Sequence, residues 1–184
     1  MNGLSVRNVP EFHVEWYEPD TRRAKKNLRI LDACHFTRSG IYEIMVMDGY
    51  GKEIASLRTE DREEMERFYI DYILKYAPSS WHKVIDDLKK AKELAQAVEG
   101  DDDGTCNFDN PAILPPKGMD IEQLIACCVA ADVTFIDRKE GDETCLLIGA
   151  HGIGQGSRRT RGAIAAKEYL RSQGYTAGMY YQMD

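Results

Sequence analysis

The sequence predicts an α+β protein in two parts: an N-terminal three-stranded antiparallel sheet with two helices, then a ferredoxin-like βαββαβ domain. Three observations predict it. Apolar residues alternate along short runs such as "IYEIMVM" (41–47), the pattern of half-buried strands. Elsewhere they recur at three- and four-residue steps, as in Met65, Phe68, Tyr69, Tyr72 and Ile73, the stripe of an amphipathic helix. Between the two halves, "VEGDDDGT" (98–105) sets three aspartates between glycines, a self-repelling stretch that packs poorly. It divides the chain into an N-terminal domain, 1–97, an acidic linker, 98–104, and a C-terminal domain, 105–184.

In the first half, "LRILDACHF" (28–36) and "IYEIMVM" read as strands separated by the turn "TRSG". "DGYG" (48–51) is a hairpin signal because glycine accepts positive φ, and "KEIASLR" is the returning strand. "FHVEWY" (12–17) reads as an edge strand. Thr59 is placed to cap a helix whose first turn carries Glu60, Asp61 and Glu63, all favourable to the helix dipole. "APSS" breaks that helix. A second, capped by Ser79 or Ser80, runs to about Val98 with the thinner stripe Trp81, Val84, Ile85, Leu88 and Leu94.

In the second half, "GTCNFDN" (104–110) reads as a strand and the proline-rich "PAILPPKG" as an extended loop. Asp120 caps a helix, with Gln123 placed to return the bond as in a capping box. "VTFIDR" and "TCLLIGA" are strands joined by the turn "KEGDE". A helix follows from Ser157, and "YTAGMYYQM" closes as a strand. The order is β-α-β-β-α-β, with both helices expected on one face of a four-stranded antiparallel sheet.

Composition narrows the function classes. No run approaches the roughly 18 apolar residues of a membrane span, and no signal-peptide pattern opens the chain, so a cytoplasmic protein is expected. Five cysteines in no paired spacing favour reduced, mostly buried thiols over a metal site, and no cofactor is expected. The net charge of −7 opposes bulk binding of nucleic acid. Residues 101–143 hold three basic and eleven acidic side chains, whereas 144–184 hold five basic and two acidic. A second basic cluster, Arg22, Arg23, Lys25 and Lys26, lies near the N-terminus. An acidic chain with two basic patches suits a partner of mixed charge, such as a protein–nucleic-acid complex.

The candidate site is "GAHGIGQGSRRTRGA" (149–163). Gly152, Gly154 and Gly156 give G-x-G-x-G, but Ser157 stands where a dinucleotide fingerprint has its third glycine. No lysine follows Gly156 as a P-loop requires. A more general anion site remains. Arg158, Arg159 and Arg161 lie near the start of a helix, where the dipole opposes each by about 0.3–1 kcal/mol. An anion on the free amides would reverse that penalty and pair with the guanidiniums. The alternative is a turn whose arginines extend into water. No nucleophile elbow is present, and no acid is placed to orient His151. Asp101, Asp102 and Asp103, with Asp109, are instead candidates for contacting a basic protein surface. Asn107, Asp109 and Asn110 are placed where they can gather beside Tyr180, Tyr181 and Gln182 of the last strand. RNA-recognition modules of ferredoxin-like fold carry aromatics on their first and third strands. Here the first offers only Phe108 and "CLLIGA" none, so that family is set aside.

The segment "IYEIMVMDGYGKEIASLRTEDREEMERFYIDYI" (41–73) is similar in layout to the small arm-binding domains of phage-type integrases, which lay a sheet in the major groove of duplex DNA. The run "DGTCNFDNPAILP … GYTAGMYYQMD" resembles small accessory proteins of bacterial mobile elements, among them anti-CRISPR inhibitors of host nucleases. These resemblances imply a non-enzymatic binding protein that inhibits or modulates a bacterial nucleic-acid-handling complex, such as the RNA-guided nuclease Cas9 with its guide RNA. Basic patches would touch duplex DNA or acidic surface, with no membrane involved. Two alternatives stay open: a regulator binding an anion or small ligand at the Gly/Arg loop, and a small enzyme whose residues converge only in three dimensions.

Overall fold

The computed structural model describes residues 11–17, 24–28, 41–47, 52–101, 103–104, 108–140, 143–149 and 156–182. The chain forms two compact units, Met1–His82 and Lys83–Asp184. It is an α+β protein with two antiparallel sheets.

The first unit contains β1 (Glu11–Tyr17), β2 (Ala24–Leu28), β3 (Ile41–Met47), β4 (Glu53–Thr59) and α1 (Arg62–Tyr76). Its sheet runs β2-β1-β3-β4, four strands where three are predicted. "FHVEWY" is not at the edge: β1 pairs with both β2 and β3, with Val14 opposite Leu28 on one side and Ile44 on the other. The predicted strand 28–36 lies outside the described residues except for Leu28, the last residue of β2. So do the turn 37–40 and all of "DGYG". The predicted alternation holds in β3, where Tyr42, Ile44 and Val46 are buried and their neighbours half-buried. Met65, Tyr69 and Ile73 form the buried side of α1. The cap of α1 is Asp61, not Thr59. The Asp61 carboxylate accepts from the amides of Glu63 and Glu64, while Thr59 Oγ1 accepts from the Asp61 amide at 2.9 Å. A carboxylate is a stronger acceptor for the positive end of a helix, so the start shifts two residues.

A second helix, α2 (Ser79–Gln96), begins in the first unit, but from Lys83 onward it belongs to the second. The second unit continues with β5 (Asn110–Ile113), α3 (Ile121–Ala130), β6 (Thr134–Glu140), β7 (Glu143–Gly149), α4 (Gly156–Ser172) and β8 (Ala177–Tyr180). Its sheet runs β6-β7-β5-β8, and every ladder is antiparallel. The capping box at Asp120 and Gln123 is formed as predicted. The first strand is displaced: it is "NPAI", not "GTCNFDN". Pro111 is accommodated because pairing with β7 begins only at Ala112, while the ladder to β8 covers all four residues.

α3 contacts β6 and β7, and α4 contacts β5 and β8. The side chains buried there include Ile113, Phe135, Leu146, Ile148 and Ala177. α2 joins this layer where Leu88, Ala91 and Ala95 line a minor apolar gap with Ala163 and Ala166 of α4. One buried carboxylate fastens it. Asp87, 6% exposed, accepts from Lys83 Nζ at 2.6 Å, Tyr175 Oη at 2.7 Å and Tyr169 Oη at 3.3 Å. Burial, then the bond to Asp87, pushes the Tyr175 hydroxyl far above its usual pKa, and Tyr169 is raised by the same causes. At the far side, Lys92 Nζ donates to both the carbonyl and the carboxylate of Asp132. Cys127, Cys128 and Cys145 are buried free thiols, and Cys34 and Cys106 lie outside the described residues. Among the described residues, no helix is long and apolar enough to cross a membrane.

Candidate binding face of the second sheet

Opposed residues of an antiparallel ladder share a face, so the register assigns every side chain of the second sheet. Ile136 lies opposite Leu147, Leu147 opposite Ala112, and Asn110 opposite Tyr180. Beyond the ends of β5 and β8, the Phe108 amide donates to the Gln182 carbonyl at 2.8 Å, so these two residues continue the same row. Phe108, Asn110, Ala112, Thr134, Ile136, Arg138, Leu147 and Tyr180 therefore project from the face opposite the helices. Two large apolar side chains stand out of it, Ile136 at 61% and Phe108 at 44% exposure.

Arg138 on β6 and Tyr180 on β8 come from opposite edges of the sheet and meet across this face. The guanidinium carbon lies 4.2 Å from the ring centroid, and Arg138 Nη1 donates to the tyrosine hydroxyl at 2.6 Å. Beneath such a bridge are the two inner strands, whose residues Cys145 and Leu147 are buried. Beside it is a cavity of about 300 Å³ lined by Phe108, Thr134, Ile136, Leu147, Arg159 and Tyr180, among others. Gly149 makes the room. A Cβ built there would lie 2.7 Å from Thr134 Oγ1 and 3.7 Å from Asn110 Oδ1, so a side chain would have to displace the Thr134 hydroxyl.

Arg159 reaches the cavity from the first turn of α4. Its Nε donates to the Asp109 carbonyl at 3.3 Å and its Nη2 to Asn110 Oδ1 at 3.2 Å, and its guanidinium carbon lies 5.7 Å from the Phe108 ring centroid. Both acceptors are neutral, and three of the five guanidinium N–H groups are not used by them. Among the described residues of the cavity lining, Arg159 is the one charged side chain and none is a carboxylate.

Ser157, Arg158 and Arg161 of the Gly/Arg segment face the acidic stretch. Arg158 Nε donates to the Val98 carbonyl at 3.1 Å, and the Arg161 guanidinium lies against Gly100. The Ser157 amide donates to the Asp103 carbonyl at 2.9 Å. α4 starts at Gly156, one residue before the predicted Ser157, in a left-handed conformation with φ of 52°. Backbone carbonyls of 98–109 thus take the bonds that the sequence assigns to a bound anion. They supply the acceptors that offset the unfavourable placement of arginines at a helix start.

The other predicted residues divide as follows. Gly152 and Gly154, Arg22 and Arg23, and Asp102 lie outside the described residues, as does Asn107. Lys25 and Lys26 belong to β2, with Lys26 opposite Trp16. Asp101 and Asp103 are exposed. Asp109 is not a surface contact. It is 4% exposed, and its carboxylate accepts from Thr160 Oγ1 at 2.6 Å and from the Gln182 amide at 3.2 Å. That pins α4 to the start of β5 and the end of β8. The sequence reading missed Ile136, Arg138 and Thr134, which carry no motif. Their signal was alternation: in "TFIDR" every second residue faces one side of the sheet.

No family model matches the chain, and no curated protein or solved structure matches it. Its function is therefore argued from this geometry.

Proposed function

We propose that the chain is a non-enzymatic binding protein whose ferredoxin-like second unit engages its partner through the open face of the sheet. The observation that carries this is the cavity of about 300 Å³ between Phe108, Ile136 and Tyr180, with Arg159 at its rim. Large apolar side chains held out from a sheet, flanked by guanidiniums on aromatic rings, combine desolvation energy with orientation. The order β6-β7-β5-β8, with its crossover helices on the other side, supports the ferredoxin-like assignment.

The partner in this reading is a bacterial nucleic-acid-handling complex, inhibited by occupation in the manner of an anti-CRISPR protein bound to an RNA-guided nuclease. Support comes from the mixed charge distribution of an acidic chain. The test is a titration of the protein into a guide-RNA-directed DNA cleavage reaction. Inhibition should be complete near one protein per nuclease and should be lost in the Phe108→Ala/Ile136→Ala double variant. Loss of nuclease activity that proceeds catalytically, at far less than one protein per nuclease, would show an enzyme instead.

A further inference from the structure

Resting on that reading, we infer that the cavity holds one unpaired nucleotide of a single strand, its base against the apolar side chains and its phosphate at Arg159. Size is the first argument. At about 300 Å³ the cavity lies at the lower end of small-molecule sites, room for one base and its sugar. Chemistry is the second. A base needs a flat apolar wall with a polar edge. Phe108, Leu147 and Ile136 supply the wall, while Thr134 and the exposed Gln182 amide lie where an edge would seek donors and acceptors. Stacking of this kind tolerates any base because every base has a π face.

Charge is the third argument. In a chain of net charge −7, the described residues lining this cavity include an arginine and no carboxylate, and that arginine retains N–H groups beyond those bonded to Asp109 and Asn110. The fourth argument is shape. Two exposed side chains of the lining, Ile136 and Phe108, stand out of the sheet, where the neighbours of a seated nucleotide can run on. A duplex keeps its bases paired and stacked on each other, so none is presented to a cavity of this size. The site therefore selects for unpaired strand.

The test is fluorescence anisotropy with a short labelled oligothymidylate, run beside its duplex with oligoadenylate and beside free thymidine monophosphate as competitor. The full chain should bind the single strand, the duplex at least tenfold more weakly, and free nucleotide should compete only at much higher concentration. Phe108→Ala should weaken single-strand binding about tenfold. Arg159→Gln should lower its salt dependence by about one phosphate contact. Phe108 is exposed, so its truncation leaves the fold intact, and an unchanged unfolding midpoint verifies this. Equal affinity for duplex, no binding of the single strand, or binding indifferent to Phe108→Ala would each overturn the inference. If the single strand fails to bind while Phe108→Ala/Ile136→Ala still abolishes nuclease inhibition, the face contacts protein. The nucleotide inference then falls and the broader reading stands.

Discussion

The backbone amide of Ser157 donates to the carbonyl of Asp103, joining the acidic stretch to the first turn of α4. Two segments that the sequence offers as separate binding surfaces are thereby each other's partners. Arg158 and Arg161 extend the same seam to Val98 and Gly100. The seam thus belongs to the packing of the second unit.

The seam predicts a sharp glycine requirement. Gly156 sits at φ of 52°, and an added Cβ would run into the Asp103 carbonyl oxygen, which is backbone and cannot swing away. Gly156→Ala should lower stability by about 2–4 kcal/mol in urea unfolding. Gly178→Ala, where a Cβ meets nothing within 4 Å, is the control and should change stability by less than about 1 kcal/mol.

The same seam separates a structural role from a binding one for the arginines. Arg158→Ala/Arg161→Ala should cost about 1–2 kcal/mol of stability through the lost bond from Arg158 to the Val98 carbonyl and the lost packing of Arg161 on Gly100. Partner affinity should change less than about threefold at temperatures where the variant is folded. A large loss of affinity with unchanged stability would return these residues to the role of an anion site.

The Asp87 cluster predicts an asymmetry between acceptor and donor. Asp87→Ala removes the common acceptor of Tyr169 and Tyr175 and should cost about 2–4 kcal/mol, measured by denaturant titration. Tyr175→Phe leaves the carboxylate with Lys83 and Tyr169, so about 1 kcal/mol is expected.

Alkaline pH should expose these buried protons. Burial pushes the Cys127 thiol from 9.0 up to about 12, and it raises the Tyr175 hydroxyl as well. A group whose folded pKa is raised binds its proton more tightly when folded, so its contribution is whole below the unfolded pKa and declines above it. The urea midpoint should therefore fall as pH rises from about 9 toward 12, and Tyr175→Phe should flatten the part above pH 10. In the native protein at pH 8, alkylation followed by peptide mapping should leave Cys127, Cys128 and Cys145 unmodified.

Elements governed by local physics were legible in the sequence. The alternation of 41–47, the stripe of α1 and the Asp120–Gln123 capping box all depend on neighbours a few residues apart. What depended on tertiary placement was not. Three prolines made 111–118 read as a loop, yet Pro111 lies in β5 because its missing N–H falls where the ladder to β7 has not begun. The strand at 11–17 looked peripheral, and only pairing on both sides made it central. The site was harder still. Phe108 and Tyr180 are 72 positions apart, and they share a face because Asn110 pairs with Tyr180 and the Phe108 amide pairs with Gln182. Comparing aromatics on the first and third strands overlooks an arrangement built on the first and the last.

The most direct test of the account is a backbone-amide NMR titration of the whole chain with a short oligothymidylate. The account predicts shifts concentrated at Phe108, Thr134, Ile136, Leu147 and Tyr180, with Val98, Gly100 and Asp103 unmoved. Shifts confined to the start of α4 and the acidic stretch, or spread over β2 with the second sheet silent, would contradict it.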